Sequence, residues 1–347
     1  MYRIKRLWLE KDPKAYKDWS LLLRESKIDV NEKLDYSAGI YQGDRLIATG
    51  SYQRNILKCL SVAEEFQSEN LLTQLVIHLL ERLREENQTH YFLYTKPSNQ
   101  AIFQSLGFHE IVKTDQILFM EQGLPTFEDY LEYLSRKKKG GSASGIVMNA
   151  NPFTKGHQYL VERAAQESPL VYVFVLSEDR SEFSTKDRLE MVKRGVAHLK
   201  NVEVLLTGDY LISSATFPTY FLKDRTEAKK ASQQAELDAR LFKEKIAPAL
   251  AIQRRFVGDE PYSEVTEIYN ETMQKIFGEE LTLSILPRIA VEGEIVSATK
   301  VRAAYQQNNQ ELLSRLLPAT TYDYLKEQIQ SRGEEEWKSS KKLSLGQ

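Results

Sequence analysis

Residues 145–160 read Gly-Ile-Val-Met-Asn-Ala-Asn-Pro-Phe-Thr-Lys-Gly-His-Gln-Tyr-Leu, and this stretch decides the fold. Gly145 to Met148 reads as a short apolar strand, ended by the loop Asn149 to Phe153. Thr154-Lys155-Gly156-His157 then opens a helix expected over Gly156 to Gln166. Outward from there the pattern repeats. Leu170 to Leu176 is an unbroken apolar strand, and Ser184 to Leu199 is a helix whose Ser184 and Asp187 have the spacing of an N-terminal cap. Val202 to Leu206, Ala251 to Val257 and Leu281 to Leu286 supply further strands, and Thr299 to Asn308 a further helix. Continuous apolar strands alternating with amphipathic helices belong to a parallel sheet buried on both faces. The expected class is α/β: five parallel strands in a doubly wound, Rossmann-like sheet over residues 145–331.

Ligands of such sheets bind at the carboxyl ends of strands, beside helix N-termini. The Asn149 to His157 loop suits a nucleoside triphosphate: the helix dipole and unpaired N–H groups attract phosphate, Gly156 permits close approach, and His157 offers a donor to the same anion. Thr154, Lys155 and His157 are therefore the candidates beside that anion, with Asn149, Phe153 and Gly156 around the nucleotide; that the first three are catalytic is what resemblance to the nucleotidyltransferase superfamily implies. A second loop-to-helix junction, Val296-Ser297-Ala298-Thr299-Lys300-Val301-Arg302, offers Ser297, Thr299 and Arg302 to the β- and γ-phosphates, and a plain capped helix is its alternative. Asp259 and Glu260 follow the strand ending at Val257; resemblance to the nucleotidyltransferase superfamily implies contacts there with base and ribose, and an ordinary turn is the competing reading. For Arg188 a phosphate contact competes with a surface ion pair, and Asp209 with Ser213 to Lys223 is expected to line the acceptor side.

The basic and small residues 136–144 read as a linker, and 332–347, rich in Glu, Lys and Ser, as a frayed tail. Residues 1–135 form another domain. Runs at Tyr36 to Tyr41, Arg45 to Tyr52 and Ile56 to Ala63 make an antiparallel meander. Leu71, Leu72, Leu75, Val76, Leu79, Leu80 and Leu83 then recur as the apolar stripe of a helix, with His78 packed beside it. A strand at Tyr91 to Thr95, a short helix from near Ser98 and a strand pair through Met120 complete an α+β pattern.

With 47 Lys and Arg against 49 Asp and Glu, the chain lacks the global basic field that sequence-independent nucleic-acid binding needs. The single cysteine, Cys59, cannot form an internal disulfide, no Cys/His cluster offers a metal site, and no apolar run reaches a membrane span. A cytoplasmic protein with no membrane partner is expected.

The Thr-x-Gly-His loop and Val296 to Arg302 resemble the two motifs of the nucleotidyltransferase superfamily, whose members attack the α-phosphate of ATP or CTP and release pyrophosphate. By that resemblance Thr154 and His157 carry the reaction. Asn99 to Phe108 resembles the late motif of the GCN5-related N-acetyltransferase fold. In that fold glycines of a turn hold the acyl-CoA pyrophosphate, and Gln67 to Leu72 departs from it with Glu69, Asn70 and Leu72, so a degenerate domain is expected. The two halves, with SSATFPTYFLK at 213–223 and GDEPYSEVTEIYN at 258–270, resemble the citrate lyase ligase family. That resemblance implies an ATP- and Mg²⁺-dependent enzyme that activates acetate as acetyl adenylate. It passes the acetyl group to the dephospho-CoA-derived thiol of the citrate lyase acyl carrier subunit. Another adenylyltransferase with a phosphopantetheine- or nicotinamide-mononucleotide-like acceptor, or a non-catalytic carrier-binding protein, are the alternatives.

Overall fold

The computed structural model describes residues 2–31, 33–177, 181–211, 226–259 and 264–328, and they divide into two compact units. The first contains strands β1 (Ile4–Arg6), β2 (Tyr36–Gln42), β3 (Arg45–Gln53), β4 (Ile56–Val62), β5 (His90–Thr95), β6 (His109–Lys113) and β7 (Leu118–Gly123), in the order β1-β2-β3-β4-β5-β7-β6. Its helices are α1 (Pro13–Glu25), α2 (Leu71–Glu85), α3 (Gln100–Ser105) and α4 (Phe127–Lys137). β2 to β4 form the expected meander, and β1, not read from the sequence, pairs antiparallel with β2. β4 then pairs with β5 in parallel at two positions, Ile56 with Phe92 and Leu57 with Leu93. This two-position parallel pair lies inside an otherwise antiparallel sheet.

The Leu stripe works as expected: Leu71, Leu75, Val76, Leu79, Leu80 and Leu83 are all buried along α2. Each such burial is worth roughly 1.5–3 kcal/mol. His78 is half-buried and shares a 2.9 Å hydrogen bond with the Tyr36 hydroxyl. Sequence reading left out α1, although Asp12 caps Lys14 and Ala15 N–H and Pro13 opens the first turn.

The second unit contains β8 (Ala143–Met148), α5 (Lys155–Glu167), β9 (Val171–Val175), α6 (Thr185–Val196) and β10 (Val202–Leu206), then α8 (Ala247–Leu250), β11 (Ile252–Gly258), α9 (Glu264–Phe277) and β12 (Thr282–Leu286). The short strands β13 (Ala290–Val291) and β14 (Glu294–Ile295) precede α10 (Ala298–Gln306) and α11 (Gln310–Leu316), and a last helix spans 319–328. The sheet order is β10-β9-β8-β11-β12 with every pair parallel, the doubly wound sheet expected. β8 therefore lies at the reversal of winding, where the chain leaves β10 and returns to β11. A ligand crevice opens at the strand carboxyl ends of such a switch point.

Two boundaries differ from the sequence expectation. Helix α4 runs to Lys137 and β8 begins at Ala143, which leaves a shorter connection than 136–144; Ala143 and Ser144 are drawn into the sheet by pairing with β11 and β9. Helix α7 (Glu227–Leu241), inside the expected second domain 145–331, groups with the first unit instead. There it packs on β6, and Gln233 donates to Gln116 at 2.5 Å. The tail 332–347 and Ser213 to Lys223 lie outside the described residues. Among the described residues no helix is long and apolar enough to cross a membrane.

Candidate functional site

The helix start at Thr154 explains the spacing of its own motif. Thr154 is the N-cap of α5: its hydroxyl oxygen accepts from the His157 N–H at 3.4 Å, and its own N–H donates to His157 Nδ1 at 3.0 Å. Two otherwise unpaired donors are satisfied reciprocally, with histidine in the place a glutamate takes in the common capping box. Because Nδ1 accepts a backbone N–H, the proton of the neutral ring resides on Nε2. Burial, aided by the nearby positive charge of Arg288, pushes the imidazole from 6.5 down to about 4. His157 is thus a neutral donor at pH 7, and its ring stacks on Phe153 with centroids 5.8 Å apart.

The loop between β8 and α5 is pinned from several sides. Arg188, fully buried, donates to the Asn149 carbonyl and Oδ1, both at 2.9 Å, to the Leu176 carbonyl at 2.7 Å and to the Phe183 carbonyl at 3.1 Å. The Asn151 side chain accepts from Phe183 N–H at 3.2 Å, while Arg302 donates to the Asn151 carbonyl at 2.8 Å. Ala150 holds φ at 50°, a left-handed conformation costly for a residue with a Cβ, and this surrounding network keeps it there.

These loops enclose a cavity of about 280 Å³ at the carboxyl ends of β8, β11 and β12. Asn149, Thr154, Gly156, His157, Asp259 and Ser297 all line it. Ser297 caps α10, accepting from Lys300 N–H at 3.2 Å, so a second helix start faces the same space. A Cβ on Gly156 would meet protein atoms no closer than 3.5 Å. Packing within the chain therefore does not require the glycine, and the space over it lies toward the cavity.

Other candidates stand elsewhere. Phe153 is not a nucleotide contact: it is fully buried in the core beneath His157 and fits because residue 195 is glycine, where a Cβ would come within 2.3 Å of its ring. Arg188 is neither a surface ion pair nor a phosphate ligand, since its guanidinium is buried and spent on the loop carbonyls. Lys155 turns from the cavity, its ammonium 3.5 Å from the Ser314 carbonyl. Arg302 and the exposed Thr299, joined by a 3.0 Å hydrogen bond, do not line the cavity; Arg302 ties the second motif to the first. Glu260 lies outside the described residues.

Sequence reading missed Arg288. It follows β12, lines the cavity, donates from Nε to the Asp259 carbonyl at 3.0 Å and supplies positive charge felt at His157. The signal was present: Pro287-Arg288 immediately follows the expected strand Leu281 to Leu286, at a strand carboxyl end where ligands of this sheet type bind. The cavity therefore combines two helix starts, a guanidinium and a neutral imidazole donor around one space. Such a set of donors can hold a phosphate chain and disperse negative charge on it.

Residues 143–325 match the family description "Citrate lyase ligase C-terminal domain". The citrate (pro-3S)-lyase ligase of Klebsiella pneumoniae is 35% identical, over 94% of this chain and 97% of its own. The Escherichia coli (strain K12) enzyme of that name is 33% identical, over 87% of this chain and 88% of its own. A phosphopantetheine adenylyltransferase of Haemophilus influenzae is 41% identical, over 18% of this chain and 40% of its own.

Proposed function

The chain belongs to the citrate lyase ligase family, and from that membership we propose that it is an ATP-dependent acid–thiol ligase acting on acetate and on the citrate lyase acyl carrier subunit. An acetate oxygen attacks the α-phosphorus of ATP, the bond to pyrophosphate breaks, and acetyl-AMP forms. The carrier's dephospho-CoA-derived thiol then loses its proton and attacks the acetyl carbonyl carbon, and AMP leaves. The observation that carries this reading is the cavity shared by the α5 and α10 starts, His157 and Arg288.

Acetate is already ionised at neutral pH, so the first step needs no general base. It needs charge dispersal and alignment. In this proposal the α5 N–H groups and the Nε2–H of His157 hold the α-phosphate region, Arg288 offsets charge on the departing pyrophosphate, and Arg188 fixes the loop presenting them. With Nδ1 accepting from the Thr154 N–H, the neutral ring keeps one N–H donor, at Nε2, for the phosphate. Mg²⁺ would enter on the triphosphate, since among the described residues no three His, Cys, Asp or Glu side chains form a metal site; Asp259 is the carboxylate lining the cavity.

Pyrophosphate release measured with ATP and a panel of acids tests the proposal. Acetate-dependent release, followed by acetyl transfer to the holo carrier subunit, is expected. The local likeness to a phosphopantetheine adenylyltransferase supports a second reading, in which phosphopantetheine rather than acetate drives release. Release that needs phosphopantetheine and ignores acetate would establish that reading instead.

A further inference from the structure

The first unit holds a pocket that the ligase reading does not use. It lies where β1 leads into α1 and where β2 begins, has a volume of about 390 Å³, and is lined by Arg6, Trp8, Lys11, Tyr16, Trp19 and Tyr36 among others. Trp19 is only 1% exposed, yet its indole Nε1–H has no hydrogen-bond partner. A buried donor left unsatisfied costs on the order of 1–3 kcal/mol, and Trp19 lines the pocket, so an acceptor that reached it there would relieve that cost. Trp8 and Tyr16 line the pocket 48% and 42% exposed, so each still presents aromatic surface to it.

Positive charge gathers on the same wall. The Arg6 guanidinium lies 3.5 Å from the Trp8 ring centroid, and the Lys11 ammonium 5.4 Å from it. Neither cation has an ion-pair partner among the described residues, although Glu10 and Asp35 also line the pocket. Asp35 is already engaged, accepting from the Arg54 N–H at 2.6 Å. Aromatic faces, a buried unmatched N–H and unpaired cations each select part of one ligand: a flat ring, a ring nitrogen or carbonyl acceptor, and an anion.

We propose that this pocket is a second nucleotide-type site, taking a purine ring that stacks at Trp8 and Tyr16 and accepts from Trp19, with its phosphate held by Arg6 and Lys11. The nucleotide site stands on its own observations, while the dephospho-CoA-type arm as its source rests on the ligase reading. Two sources share this chemistry: a free adenine nucleotide, and the nucleotide end of a dephospho-CoA-type arm.

The full chain, labelled with ¹⁵N at its three tryptophan indoles, is titrated with AMP, dephospho-CoA and ribose 5-phosphate. Saturable movement of the Trp8 and Trp19 indole signals with the first two probes is expected, ribose 5-phosphate having little effect. Dephospho-CoA binding at least tenfold tighter than AMP identifies the arm as the source, and equal affinity the free nucleotide. Trp8→Leu and Arg6→Gln should each weaken binding about tenfold, the loss of a stacking partner or of one phosphate contact. Trp19→Phe removes the orphan donor and should weaken binding; it also empties buried volume and is expected to lower the melting temperature, so its affinity is read well below its own unfolding midpoint. Unmoved Trp8 and Trp19 signals at millimolar probe, an equal response to ribose 5-phosphate, or full affinity in the Trp8→Leu, Arg6→Gln double variant would overturn the site.

Discussion

His157 has two roles that separate by experiment: it caps α5 through Nδ1 and offers Nε2–H to the cavity. His157→Ala should slow acetate-dependent pyrophosphate release by ~10²-fold or more, the effect of deleting one preorganised donor; an undiminished rate would remove it from the site. Its ionisation also has a stability consequence. With the folded imidazole at about 4 against an ordinary 6.5, the unfolded chain binds more protons between those values. Stability from this group is therefore full above pH 6.5 and lost as the pH falls toward 4, by up to roughly 3 kcal/mol. Urea midpoints between pH 7 and 4.5 should drop less in His157→Ala than in the parent. Arg288→Gln removes a positive neighbour, so the His157 titration followed by NMR should move upward while adenylation slows. A fixed imidazole titration would show that the two groups do not communicate.

At the scale of elements, the site depends on how α6 carries the loop before α5. Gly195 on α6 gives Phe153 its place, Phe153 supports the His157 ring, and Arg188 on the same helix holds Asn149. A Cβ at 195 would lie 2.3 Å from the Phe153 ring, so Gly195→Ala must displace it. The expected outcome is a loss of about 1–3 kcal/mol by denaturant unfolding, as for other overpacked cores, together with slower adenylation although residue 195 does not line the cavity. Unchanged stability would mean that the helix shifts away at little cost. The capping residues of α5 and α10 were readable because a cap is a local hydrogen bond between residues three apart. The Phe153–Gly195 contact was not, because nothing within forty residues of either position announces it.

For the whole molecule, the grouping of α7 with the first unit means that one cut at 135 does not separate the parts. Ala231, Ala235, Leu237, Ala239 and Leu241 of α7 are buried, and deleting residues 1–135 would strip away β6, on which it packs. That deletion is expected to aggregate or to be cleaved by protease within 226–242. Removing 1–136 together with 216–242, bridged by a short Gly-Ser segment, should leave a soluble unit that retains adenylation and is impaired in acetyl transfer to the carrier. If the single deletion is as soluble and protease-resistant as the double one, α7 does not depend on the first unit.

The sequence by itself determined the α/β sheet with its five parallel strands, the meander and Leu-striped helix before it, and the two loop-to-helix junctions, because apolar periodicity and helix-start signals act within a few residues. Only the tertiary structure decided which candidates meet at the cavity. Thr154, Gly156, His157, Asp259 and Ser297 converge there because the winding reverses beside β8. Arg188 withdrew from the solvent because carbonyls 5, 12 and 39 residues away satisfy its guanidinium better than an exposed partner could. Phe153 went inward, Arg288 came to the cavity wall, and α7 left its sequence neighbours for β6, since burial and long-range pairing outweigh the weak preferences that a local pattern expresses.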